Sequence, residues 1–122
     1  MDKLIINNAK FQCFVGTQPE ELTSRQEVTI YTEMEFDIAK SAETDELIHT
    51  IDYRDVNKRI EIILENRHNL IETIAENIAK DLLNIFDIDK ILVKVNKPGS
   101  LKNAKYCSVE ITRCSTRAKE LI

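Results

Sequence analysis

Only two glycines and two prolines interrupt this chain of 122 residues, and they fall in two short places. Gly16 and Pro19 stand in Gly16-Thr17-Gln18-Pro19-Glu20-Glu21, while Pro98 and Gly99 follow Asn96-Lys97. Glycine and proline mark where a backbone must turn or let something approach closely, so this confinement singles out two loops, each carrying charged residues. Both loops are expected to belong to one site.

A chain of this length makes one ordinary domain, residues 1–122, with a real core but not two. With 43% hydrophobic and 31% charged residues it reads as a globular protein, and no apolar run approaches the roughly 20 residues of a membrane span. No membrane role is expected. The start, Met1-Asp2-Lys3-Leu4-Ile5-Ile6-Asn7-Asn8, has too short an apolar stretch for a signal peptide, which points to a cytoplasmic protein. The net charge is -4 and the 17 Lys and Arg are scattered, so no basic stripe exists to track phosphates and nucleic acid is not an expected partner. Cys13, Cys107 and Cys114 are odd in number and lack metal-ligand spacing; they read as reduced thiols, with Cys13 and Cys107 as small strand residues. With only His49 and His68 as imidazoles, no metal site is expected.

Alternation of Phe11, Cys13 and Val15 with Lys10, Gln12 and Phe14 predicts a strand over residues 4–15, ending at Gly16. A second runs over residues 26–37, with Val28, Ile30, Thr32, Met34 and Phe36 on one face and Thr29, Tyr31, Glu33, Glu35 and Asp37 on the other. After a polar connection the period becomes helical, with Tyr53, Val56, Ile60, Ile63 and Leu64 on one stripe and Asp52 as N-cap. A second helix begins after Asn69 and carries Leu70, Ile71, Ile74, Ile78, Leu82 and Phe86 inward; Asn69 and Glu72 suit N-cap and N3 of a capping box. Strands follow over residues 91–97 and 106–113, and residues 116–122 form a tail. The order ββααββ predicts an α+β fold, a four-stranded antiparallel sheet with two helices on one face. Its two long edges invite pairing with further copies into a closed barrel, so a homo-oligomer is expected.

Glu21, Tyr53, Glu72 and Lys97 lie at element ends, where reactive groups tend to sit. Each has a plainer explanation. Glu20 and Glu21 could be solvated loop charges, Tyr53 could pack at its helix start, and a capping box accounts for Glu72. Yet the same helix start offers free N–H groups near Ile71 and Glu72 that could hold a ligand carbonyl. Lys97 shares strand parity with Ile91, Val93 and Val95, so its ammonium points toward an apolar face unless the strand bends at Pro98; burial would lower its pKa and make it a usable acid or base.

In order and spacing, Val15-Gly16 with Glu21 and Arg25-Gln26, Ile51-Asp52-Tyr53, Asn69-Leu70-Ile71-Glu72 with Ala75-Glu76, Lys97-Pro98-Gly99 and Val109-Glu110-Ile111 resemble the dihydroneopterin aldolase family, over about residues 4–113. The resemblance implies the tunnelling fold, with subunits in a four-membered barrel ring, rings stacked into an octamer, and active sites between neighbours. It implies that Glu72 anchors the amino and ring N–H groups of a pterin, with backbone at Leu70 and Ile71 assisting. Glu21 would sit near the reacting side chain, while Lys97 and Tyr53, the latter from the adjacent chain, would handle protons. It implies cleavage of 7,8-dihydroneopterin without cofactor, with C2' epimerisation as a possible companion activity. Thr17 and Gln18 replace the apolar pair more common in the aldolases, and Asp52-Tyr53-Arg54 is also similar to dihydroneopterin triphosphate 2'-epimerase. Pro98-Gly99 after Lys97 favours the aldolase. A non-catalytic pterin-binding, ring-forming protein is the reading from another class; such a binder would need Glu72 but could discard Lys97 and Tyr53.

Overall fold

The computed structural model describes residues 1–116. In chain order the elements are β1 (Lys3–Cys13), α1 (Pro19–Thr23), β2 (Gln26–Glu35), α2 (Ala39–Thr44), a 3-10 turn (Leu47–His49), α3 (Tyr53–Leu64), α4 (Ile71–Ile85), β3 (Lys90–Pro98) and β4 (Tyr106–Cys114). The four strands form one antiparallel sheet in the order β1-β2-β3-β4, which leaves β1 and β4 as its edges. The α+β architecture follows the alternation read from sequence. The expected tail falls, beyond Thr116, outside the described residues.

Strict alternation in β2 buries Val28, Ile30, Thr32 and Met34 and leaves Thr29, Tyr31 and Glu33 half-buried on the other side. Ile91, Val93 and Val95 continue that inner row on β3, and the cluster is completed by Val56, Ile60 and Leu64 of α3 and Ile74, Ile78 and Leu82 of α4. Each such side chain contributes about 1.5–3 kcal/mol on burial, and a one-residue slip would turn a whole row outward, so the register is strongly specified.

The first strand departs from the expected one at both ends. Leu4 and Ile6 have one parity and Phe11 and Cys13 the other, yet all four face inward, because the β1–β2 register shifts between Ile6 and Ala9. Asn8, at φ 48°, absorbs the extra residue of this bulge. The strand then ends at Cys13, two residues short of Val15, because Val15 leaves β2 to form a parallel bridge with His68. The predicted second strand is likewise shorter, ending at Glu35.

Asp52 caps α3 as expected, accepting from the Arg54 N–H at 2.9 Å. The capping box expected for the next helix is not formed. The N-cap is Leu70, with extended backbone, so Ile71 is the first helical residue and Glu72 the second. Asn69 stands one residue too early to close the box. α1 and α2 are short helices inside stretches that sequence reading left as loop and connection.

Candidate active site

The turn between β1 and β2 is built around Gly16. Its φ of 122° lies where side-chain-bearing residues are strained, and an added Cβ would come within 2.3 Å of the Glu21 carboxylate. Pro19 opens α1, and the Glu21 side chain folds back to accept the Gln18 N–H at 3.1 Å. Glu21 is thereby pressed against the backbone of its own loop rather than extended into solvent.

The second Gly/Pro loop meets it. Lys97 lies near the end of β3 on the helix-facing side, opposite Cys107 of β4, and its Nζ donates to the Glu21 carboxylate. Both side chains are only 13% exposed. The two loops singled out by their glycines and prolines thus converge as an ion pair. The Lys97 donor, aided by the Gln18 N–H, holds the Glu21 carboxyl below its usual pKa range against the opposing effect of desolvation. Such a pair offers a proton donor and a proton acceptor in contact.

Leu70, Ile71 and Glu72 lie at the start of α4. The Gly16 N–H donates to the His68 carbonyl and the His68 N–H to the Phe14 carbonyl, each at 3.1 Å, which ties the Glu21 loop to the segment leading into this helix. Glu72 is exposed, with no hydrogen-bond or ion-pair partner among the described residues. Because no capping box consumes it, its carboxylate stands beside the N–H groups of the first helical turn, which have no intrahelical acceptors. Acceptor and donors side by side suit the edge of a planar heterocycle bearing both kinds of group.

Tyr53 is apart from these. It is the first residue of α3, 59% exposed, in a depression of about 600 Å³ shared with Ile6, Arg54 and Lys58. The twelve residues of α3 span roughly 18 Å, and the chain reaches the Gly16 loop only after the helix's other end, at His68. One protomer therefore joins Glu21 to Lys97 and sets the Glu72 helix start beside their loop, with Tyr53 at the far end of α3.

Three further residues shape the site. Arg67 donates to the carbonyls of Gly16 and Glu21, the latter at 3.3 Å. His68 is buried, with Nε2 against the Asn77 amide at 3.1 Å. Asn96, buried next to Lys97, donates to Thr29 Oγ1 at 3.0 Å and to Asn8 Oδ1 at 3.4 Å and accepts from Ser108, so one polar row crosses all four strands. Asn96 alone had a local signal, an amide next to the strand-ending lysine. Arg67 and His68 had none, since Arg67 meets carbonyls 46 or more residues earlier in the chain and His68 is placed by backbone bonds to Phe14 and Gly16.

The four-stranded antiparallel sheet backed by two helices is that of a tunnelling-fold protein, and it carries a Lys–Glu pair near a helix-start glutamate that has no partner among the described residues. The family model of dihydroneopterin aldolase matches residues 4–112, and the chain belongs to that family. It is 34% identical over 117 residues to the dihydroneopterin aldolase of Bacillus subtilis, covering 93% of this chain and 98% of that protein. A folic acid synthesis protein of Dictyostelium discoideum is 33% identical over 114 residues, 93% of this chain but 17% of that longer protein. Among solved structures, Escherichia coli dihydroneopterin aldolase in complex with neopterin superposes with a TM-score of 0.89 at 29% identity, covering 93% of this chain and 99% of that one.

Proposed function

We propose that this protein is a 7,8-dihydroneopterin aldolase, a cofactor-free aldehyde-lyase of folate biosynthesis that releases 6-hydroxymethyl-7,8-dihydropterin and glycolaldehyde. The observation that carries the reading is the convergence of Lys97 and Glu21 from the two Gly/Pro loops, on a loop tied by backbone to the start of the Glu72 helix. The family membership and the neopterin complex of the E. coli relative support the substrate class.

In this reading Glu72 accepts from the pterin amino and ring N–H groups, while backbone at Leu70 and Ile71 completes the grip. Lys97, acting through a water, draws the proton from the C2' hydroxyl, with Glu21 held beside the reacting side chain. The C1'–C2' bond then breaks, and its electron pair moves into the ring C=N of the substrate. Glycolaldehyde leaves, and Tyr53 returns a proton to C1' of the enol-like intermediate. The substrate thus supplies its own electron sink.

Tyr53 reaches this centre from a neighbouring subunit. The far placement of Tyr53 within one protomer and the two sheet edges, β1 and β4, support a closed ring of four subunits, with two rings stacked into an octamer. Residues 1–122 constitute one domain of this kind. The free thiols of Cys13, Cys107 and Cys114 accord with a cytoplasmic location.

At the Tyr53 end the Arg54 guanidinium is held by both oxygens of Asp52, each at 3.1 Å, and Asp55, Lys58 and Glu61 line the same depression, so the charges there are mixed rather than the cluster of cations a triphosphate would call for.

The test is to incubate the purified protein with 7,8-dihydroneopterin and, separately, with its triphosphate, and to resolve the products by chromatography. Glycolaldehyde release is expected from the first; inversion of the triphosphate side chain alone, or binding without product, would overturn the reading. Lys97→Ala should nearly abolish turnover while pterin binding survives, whereas Glu72→Ala should weaken binding first. Unchanged turnover in Lys97→Ala removes the lysine from its assigned role.

A further inference from the structure

We propose that Arg67 is a positioning residue that sets Glu21 against Lys97 by clamping both ends of the Gly16 loop. The inference rests on the aldolase reading only for its kinetic readout.

The segment between α3 and α4 runs alongside the Gly16 loop, held there by the two backbone bonds of His68 with Phe14 and Gly16. From that segment Arg67 reaches over the loop. One Nη donates to the Gly16 carbonyl and the other to the Glu21 carbonyl at 3.3 Å. These two carbonyls bracket the stretch whose Glu21 side chain is folded back onto Gly16 and bonded to Lys97. The Glu21 carbonyl also belongs to the last turn of the five-residue α1, where helix carbonyls lack intrahelical donors.

α1 has too few residues to hold itself, since helices of one turn gain almost nothing from propagation. It buries no residue completely, so packing does not fix it either. The loop is therefore held by Gly16 N–H on His68, by the Gln18–Glu21 bond, by the Lys97 pair and by Arg67. Of these only Arg67 spans from one end to the other. A guanidinium suits the task because its N–H groups form a rigid fork, whereas an ammonium of similar reach is a single point. Arg67 touches neither Lys97 nor the Glu21 carboxylate, so its influence on proton transfer passes through the backbone of the loop. Displacements of about 1 Å in such groups can cost up to a hundredfold in rate.

The experiment is a double-mutant cycle on 7,8-dihydroneopterin turnover with Arg67→Gln, Glu21→Gln and the double variant. Arg67→Gln alone is expected to lower kcat about tenfold with KM changed less than about twofold, the pattern of a lost transition-state arrangement. In the Glu21→Gln background the same substitution should change kcat less than about twofold. An equal fold-change in both backgrounds, or none in either, overturns the proposal. Arg67→Lys keeps one of the two contacts and should fall between wild type and Arg67→Gln; it carries the same cycle if the glutamine variant does not fold.

A readout free of turnover separates the clamp from the aldolase reading. In the 13C NMR titration of the Glu21 side-chain carboxyl, Arg67→Gln or Arg67→Lys should raise its midpoint toward the ordinary glutamate range. A midpoint unmoved in a folded variant overturns the clamp. If the wild-type protein releases no glycolaldehyde while the midpoint moves as expected, the aldolase reading fails and the clamp stands.

Discussion

At the scale of single residues, Gly16 is the position where backbone geometry and the ion pair make the same demand. Gly16→Ala meets two costs together, a left-handed φ of 122° and a Cβ at 2.3 Å from the Glu21 carboxylate. A loss of about 1–3 kcal/mol is expected in urea unfolding, with turnover falling because Glu21 must move off the loop. The Glu21–Lys97 pair adds a pH dependence whose sign is fixed. Glu21 titrates below its unfolded value, so its contribution to stability is fully present above about pH 4.3, the ordinary glutamate range, and is lost as pH falls through the depressed folded value. Wild type and Glu21→Gln should therefore differ most near neutrality and converge in acid; a gap that stays constant from pH 7 to about pH 3 contradicts the pairing. Glu21 and Lys97 were legible in sequence because each borders a Gly/Pro loop. Arg67 was not, since nothing around it in sequence marks which carbonyls it will meet.

At the scale of elements, β2 throughout and β3 up to Val95 alternate and were readable, because one face of each packs on the core. β1 changes parity between Ile6 and Ala9 at the bulge on Asn8, which the reading of one strand over residues 4–15 did not anticipate. The start of α4 was misread by one residue. An asparagine followed three positions later by glutamate satisfies the capping-box pattern, but backbone bonding of His68 to the Gly16 loop keeps the chain extended through Leu70. That shift leaves the Glu72 carboxylate unengaged. α3, by contrast, starts where its cap predicts. Asp52→Ala should cost about 1 kcal/mol in chemical denaturation, the usual worth of a side-chain N-cap, and should release Arg54 from its bidentate hold. If the variant is as stable as wild type, the cap contributes nothing and Tyr53 is positioned by packing alone.

At the scale of the whole molecule, the distance between Tyr53 and the Lys97 loop is a statement about assembly. If each site takes Tyr53 from one subunit and Lys97 from the next, co-refolding Tyr53→Phe with Lys97→Ala subunits should restore about one quarter of native sites, as random occupancy of a symmetric ring requires. Either variant alone should stay nearly inactive. No recovery in mixed oligomers, confirmed as mixed by native mass spectrometry, would place both residues in one chain. The same preparation tests the proposed ring, in which the edges on β1 and β4, unpaired among the described residues, would meet those of other copies.

The sequence by itself determined the order of the four strands and the two long helices, the inward rows of β2 and β3 and the two loops that carry charge, because periodicity and turn chemistry act between residues close in the chain. Only the tertiary structure decided that Glu21 lies against Lys97, that Arg67 spans their loop, that Glu72 is left uncapped and that Tyr53 stands a helix length away. Those outcomes depend on contacts between segments tens of residues apart, whose distances are set when the sheet and helices pack and are written in no local pattern.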